Sequence, residues 1–297
     1  MIYFYVGYIN HIVILYYCPM SCLDLLRVYH FDTNKKIRLG VNADGGYVIA
    51  DIGCAEEEGG AYDCYISAGV STEESFTRDF LQRYSESCSL DETNCFAFDG
   101  TIQAYPTQYT DKITFFKKNI GRGAGEETGE AGKAGETGEA GETGKAGETG
   151  KAVVSDTNLL FLLNKYSRVF LKMDIEGGEY PWLMRMTTDD LRKIKQMVIE
   201  FHGITGVGWG SSFEDKWACI KKLSETHYIV HAHGNNYSHV LSHIPDVIEL
   251  TCIEKSYFSD GAPALNKTPL PVIGLDFANC IARRDIDLNV YPFVSKN

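Results

Sequence analysis

Short apolar runs alternate with amphipathic stretches along most of this chain. Asp63–Ser67, Asn94–Phe98, Ile113–Phe116, Val169–Met173, Lys195–Phe201, Tyr228–His231 and Val247–Ile253 have the length and composition of buried strands. Between them, Thr72–Tyr84, Thr157–Tyr166, Tyr180–Met186 and Ser212–Thr226 read as helices. In the last of these Phe213, Trp217, Ile220 and Leu223 recur at helical spacing. Strands separated by helices predict an α/β fold with a doubly wound, mostly parallel sheet, here seven-stranded. The final two runs have no helix between them, which predicts an antiparallel last strand.

A foreign block interrupts this order. From Gly129 to Gly150 glycine recurs at every third position, the spacing that the crowded axis of a collagen triple helix demands. The repeat has no Pro to pre-set polyproline II, so trimerisation through it is not expected. Residues 121–152 read instead as a flexible, acidic, solvated collagen-like insert between the third strand and the next helix. The remaining divisions are an apolar extension and lead-in over 1–37 and one domain over 38–297. Met1–Tyr17 is apolar and Tyr-rich but shorter than the ~20 residues a spanning helix needs. It reads either as a weak membrane anchor or as an extension ahead of a functional start at Met20.

Charge and cysteine content narrow the functional classes. The 297 residues carry a net charge of -12, with no Lys/Arg stripe to offset phosphates, which argues against nucleic acid as a partner. The nine cysteines are odd in number and scattered. Cys18 and Cys22 lack zinc-knuckle spacing, and Cys64, Cys95 and Cys252 sit in apolar runs as small hydrophobes. A reducing, cytoplasmic setting is the expectation.

Candidate chemistry gathers at strand ends. After Val169–Met173 come Asp174, Glu176 and Glu179, with Gly177 and Gly178 turning the chain. Ligands of open α/β sheets bind beyond the carboxyl ends of strands, so Asp174 and Glu176 stand at the lip of such a crevice. A solvated strand-to-helix turn would look similar. Ser67-Ala68-Gly69 ends the first strand with a single glycine; it is not G-x-G-x-x-G, so the dinucleotide fingerprint is missing. Asp99 follows the second strand, where an acid holds ribose hydroxyls or simply makes a turn before Gly100. Asn42–Tyr47 leads into Val48–Ala50 as a hairpin turn would. His202 ends the fifth strand, and His231, His233 and Asn235 cluster at the sixth. Imidazole suits a general base near neutral pH. Asp174, His202 and His233 have the chemistry of metal ligands, but their spacing carries no metal signature and no metal is expected.

In chain order, DGGYVI, YISAGVSTEESF, FAFDGT, FFKKNIG, FLKMDIEGGEYPWL, VIEFHG, HAHGNNY and VIELTCI resemble the FkbM-type methyltransferases, S-adenosylmethionine-dependent enzymes of class I, Rossmann-like fold. The resemblance runs from about Arg38 to Ile253, and KMDIEGGEY is its most specific part. It implies that Ser67 and Gly69 border the methionine part of S-adenosylmethionine, that Asp99 holds its ribose and that Asp174 touches it. Asp174, Glu176 and His202 would border methyl transfer, with Asp174 or His202 as the base. Asp44, Tyr47, His233 and Asn235 would face the acceptor, a sugar or small-molecule hydroxyl. Ala68 and Val70 stand where a second glycine is expected, which bears on cofactor affinity. The other reading is a catalytically inactive methyltransferase fold serving as a collagen-like interaction module, since fold does not guarantee activity.

Overall fold

The computed structural model describes residues 2–9, 12–18, 20–52, 61–121, 157–206 and 208–295. Strands β1 (Ile2–Ile9) and β2 (Ile12–Cys18) form an antiparallel hairpin that leads to the one-turn α1 (Met20–Leu23). A second hairpin pairs β3 (Lys36–Leu39) with β4 (Tyr47–Ala50). The main body follows as β5 (Cys64–Ala68), α2 (Ser75–Tyr84), β6 (Cys95–Phe98), β7 (Thr114–Phe116), α3 (Leu160–Leu163) and β8 (Val169–Met173). It continues through α4 (Glu179–Arg185), α5 (Thr188–Arg192), β9 (Ile194–His202), α6 (Phe213–Thr226) and β10 (His227–Gly234). A small ladder of β11 (Val240–Leu241) and β12 (Ile244–Pro245) precedes β13 (Val247–Glu254).

Seven strands build the central sheet in the order β10-β13-β9-β8-β5-β6-β7. All neighbours from β9 to β7 are parallel, while β13 runs antiparallel to both β9 and β10. The molecule is therefore an α/β protein with a mixed, mostly parallel, Rossmann-like sheet, as the alternation of apolar runs predicts. From β5 the chain steps outward to β6 and β7, then returns across β5 to build β8 and β9. The order reverses between β5 and β8, which makes that junction the switch point of the sheet.

Side-chain alternation covers both faces. Leu171, Met173, Met197 and Ile199 point into a core closed by Trp182, Leu191, Ile220 and Leu223 from α4, α5 and α6. Phe170, Tyr65 and Val198 point the other way, against Phe76, Phe80 and Tyr84 of α2. There Phe80 lies 4.3 Å from Phe170 and 4.5 Å from Tyr65, centroid to centroid. Burial on both faces is why these strands read as continuous apolar runs. The lead-in joins the first core through Leu23, Leu26 and Val28, and Tyr29 N–H donates to Ile229 O at 2.7 Å.

Element ends depart from the periodicity for identifiable reasons. The helix expected from Thr157 is confined to Leu160–Leu163, because Thr157 is held in a bridge to Ile120 and Leu159 adopts a φ of 65°. The same bridge closes the mouth of the inserted block: Gly121 N–H donates to Thr157 O at 3.0 Å and Thr157 N–H to Asn119 O at 2.9 Å. Apart from Gly121, the collagen-like block itself lies outside the described residues. Among the described residues no helix is long and apolar enough to cross a membrane.

Candidate functional site

Two adjoining cavities open at one rim of the sheet, beyond the carboxyl ends of its parallel strands. The first, about 370 Å³, is walled by the segments that follow β5 (Gly69–Ser71), β6 (Asp99–Thr101), β7 (Lys118–Ile120) and β8 (Asp174–Glu176). The second, about 630 Å³, is walled by Glu200 and His202 of β9, Trp209, Asn235–His239 after β10 and Asp246 before β13. Asp44, Asp174 and Glu176 line both. The hairpin turn before β4 thus places Asp44 over the switch point of the sheet.

Backbone geometry explains the glycine of the first cavity. Gly69 has a φ of +80°, and a Cβ there would stand 1.6 Å from Asp174 O. Only glycine lets the loops after β5 and β8 pass so closely. Asp99 ties the same loop down. Its Oδ2 accepts from Val70 N–H at 3.0 Å and Ser71 N–H at 2.9 Å, and its Oδ1 from Thr101 N–H at 2.7 Å and the Thr101 hydroxyl at 2.5 Å. Burial pushes this carboxyl up, but these donors outweigh burial and hold it below the usual carboxylate range. Beside it, Lys172 is buried and its ammonium donates to Gly69 O.

Around the second cavity, carboxylates crowd one imidazole. Glu176 sits at φ 53° and Gly177 at φ 91°, which swings the Glu176 side chain back toward β9. Asp174 Oδ2 lies 3.0 Å from the Tyr47 hydroxyl, which also stands 3.3 Å from Glu200 Oε2. Asn235 Nδ2 donates to Glu200 Oε1 at 2.8 Å. Burial first, and then the charges of Asp174 and Glu249, push the Glu200 carboxyl well above its ordinary range. The His202 side chain is 5% exposed, with Nδ1 3.2 Å from Glu179 Oε1. Its Nε2 lies 3.5 Å from Glu176 Oε2, 3.8 Å from Asp174 Oδ1 and 3.9 Å from Glu200 Oε1. Burial alone would lower this imidazole, but the Glu179 hydrogen bond and the surrounding carboxylates carry it up to about 9. The Trp209 ring packs on it with centroids 4.9 Å apart. Gly203 makes room for that ring, since a Cβ there would stand 2.2 Å from Trp209 Cδ1.

Of the residues the sequence singles out, Gly69, Asp99, Asp44, Asp174, Glu176, His202 and Asn235 line the cavities. Four others do not, and one of them, His231, is buried with Nε2 2.8 Å from Asp276 Oδ1. Ser67 is buried beneath the wall with its hydroxyl on Glu74 at 3.2 Å. Tyr47 lies behind Asp174 and orients it. His233 is held between Glu249, at 3.1 Å from Nδ1, and Asp285, at 3.1 Å from Nε2. Asp285, like Asn279, which donates to Asp44 and Glu249, comes from the C-terminal segment beyond the last strand. Sequence reasoning misses Lys172, Glu200 and Trp209. The first two left a signal, a charge flanked by apolar residues inside a strand; Trp209, in a loop between β9 and α6, left none.

Compared with protein-family models, with curated proteins and with solved structures, the chain matches none.

Proposed function

We propose that this chain is an S-adenosylmethionine-dependent methyltransferase that methylates a hydroxyl oxygen of a sugar or other small molecule. The observation that carries the reading is the pair of cavities that meet at Asp174 and Glu176, with Asp99 on one side and His202 on the other. Methyl transfer needs that division, because sulfonium and acceptor must approach the same carbon in line from opposite sides. The antiparallel β13 inside an otherwise parallel seven-stranded sheet adds support, since it agrees with the fold the motifs imply. On this reading the cofactor occupies the first cavity, its methionine part along Gly69 and its ribose at Asp99, where a ribose hydroxyl would take the place of the Thr101 hydroxyl on Oδ1. The acceptor occupies the second, beside Asn235.

The acceptor oxygen attacks the methyl carbon as the S–C bond breaks, leaving neutral S-adenosylhomocysteine. Its proton passes to Asp174, whose Oδ2 is held by Tyr47 while Oδ1 has no hydrogen bond among the described residues. The carboxylates at the junction favour the sulfonium charge before transfer. Thermal unfolding with S-adenosylmethionine or S-adenosylhomocysteine is the first test: a ligand at a hundred times its Kd stabilises by about 2.7 kcal/mol. Labelled methyl transfer to hydroxyl acceptors is the second, and Asp174→Asn should lower its rate by roughly 10²–10⁴ while weakening cofactor binding far less, since Glu176 still faces the sulfonium. Absence of a shift with both ligands would remove the proposal. A shift without transfer to any acceptor would favour the inactive scaffold.

A further inference from the structure

We propose that Asp174, Glu176 and His202 hold a divalent cation at the junction of the two cavities, and that the acceptor is a polyhydroxylated molecule offering this cation two neighbouring oxygens. One ligand atom from each of these residues falls within 4.8 Å of the others. Two ligands about 2.1 Å from one ion stand about 3.0 to 4.2 Å apart. The His202 Nε2 distances of 3.5 Å to Glu176 and 3.8 Å to Asp174 lie in that range.

The histidine makes this more than a group of acids. Its side chain is 5% exposed, and its Nε2 makes no hydrogen bond among the described residues but lies 3.5, 3.8 and 3.9 Å from oxygens of Glu176, Asp174 and Glu200, so a cation would take the place of the proton that these carboxylates favour there. Its other nitrogen is fixed by Glu179, which is fully buried. Such a carboxylate behind the imidazole orients histidine ligands toward metals. Asp174 is supported likewise, with Oδ2 on Tyr47 and Oδ1 toward the imidazole. Oxygen and imidazole donors suit Mg²⁺, Mn²⁺ or Zn²⁺. Three protein ligands leave positions open toward the second cavity, where exposed Trp209 and Tyr237 present ring surface to a sugar. A cation-bound hydroxyl loses its proton more readily; with Asp174 on the cation, that proton leaves to water in the open second cavity, and Asp174 acts as a ligand in place of the base role proposed above. The acceptor half of this inference rests on the methyltransferase reading; the cation half does not.

Mn²⁺ is the probe. The full chain, dialysed against EDTA, is titrated with MnCl₂ while free Mn²⁺ is read by electron paramagnetic resonance. One equivalent should bind. Glu176→Gln and His202→Gln should weaken binding at least about tenfold, and Glu179→Gln by roughly 10–100-fold through loss of imidazole orientation. Glu214→Gln, an exposed acid on α6, should change nothing. Glu176 is 69% exposed at its side chain, so that variant tests the site without disturbing the core. Failure to bind one equivalent, or equal binding by the wild type and the Glu176 and His202 variants, overturns the cation site. A vicinal-diol sugar, and not its deoxy analogue, should perturb the bound Mn²⁺ spectrum; no effect overturns the acceptor half. S-adenosylmethionine stabilisation of the EDTA-treated chain separates the two readings. Stabilisation without Mn²⁺ binding removes the cation alone, and Mn²⁺ binding without stabilisation removes the transferase.

Discussion

Replacing Asp99 by Asn tests whether this side chain is a structural clamp as well as a ribose ligand. The carboxylate accepts four hydrogen bonds, two on each oxygen, from Val70, Ser71 and Thr101. Asparagine has one acceptor oxygen and one NH₂ group. Turned one way, its NH₂ faces the N–H groups of Val70 and Ser71. Turned the other way, it faces Thr101 N–H, while the Thr101 hydroxyl rotates to accept. The second arrangement is cheaper: it orphans one N–H, at about 1–3 kcal/mol, and removes charge from two remaining bonds, at about 1 kcal/mol each. Thr101 is exposed, so its N–H recovers water and the total falls to about 2–3 kcal/mol. For a chain of this size that lowers Tm by about 5–10 °C. Calorimetry without any ligand reads the effect directly, and S-adenosylmethionine affinity is then compared at a temperature where both proteins are folded. A Tm within about 1 °C of wild type would refute the clamp, because no arrangement of asparagine satisfies these donors.

Three further outcomes follow from the geometry. Gly69→Ala should cost about 3 kcal/mol or more, since its Cβ would meet Asp174 O at 1.6 Å, whereas Gly274→Ala, with a φ of +86° and nothing within 4 Å, should cost only about 1 kcal/mol; equal losses in urea unfolding would contradict this. His227 is fully buried, with Nε2 2.8 Å from Ile194 O, and burial lowers its pKa from 6.5 to about 4. The neutral ring is the folded form, so its contribution is complete above pH 6.5 and is lost as pH falls to about 4, a change on the order of 3 kcal/mol. His227→Gln should lack this loss, and parallel pH–stability curves for variant and wild type would refute it. Replacing residues 123–151 with a short Gly/Ser linker should leave Tm nearly unchanged, because Asn119, Gly121 and Thr157 already close the loop with backbone hydrogen bonds; a collapse of folding would make the block structural.

The sequence alone carried the layered fold and half of the site. A parallel strand buried on both faces must be apolar along its length, so β5, β6, β8 and β9 announce themselves, and the helices between them dictate a parallel order. Strand ends are equally visible, because polar residues appear where burial stops, and this is why Asp99, Asp174, Glu176 and His202 stand out. What tertiary structure decided is which of these strand ends face one another. Gly69 and Asp174 are 105 positions apart, and only the pairing of β5 with β8 brings them together. Asp44 reaches the junction because a local hairpin docks over the rim, although its own sequence specifies nothing beyond the turn. Glu200 and Lys172 were legible as charges in apolar strands, but the partners that let them remain there, Asn235, Tyr47 and the Gly69 carbonyl, are distant in sequence. His233 shows the converse. Its position beside Asn235 suggested the cavity, yet strand register turned it toward Glu249 and Asp285, since a residue's neighbours in a sheet are set by pairing rather than by order along the chain.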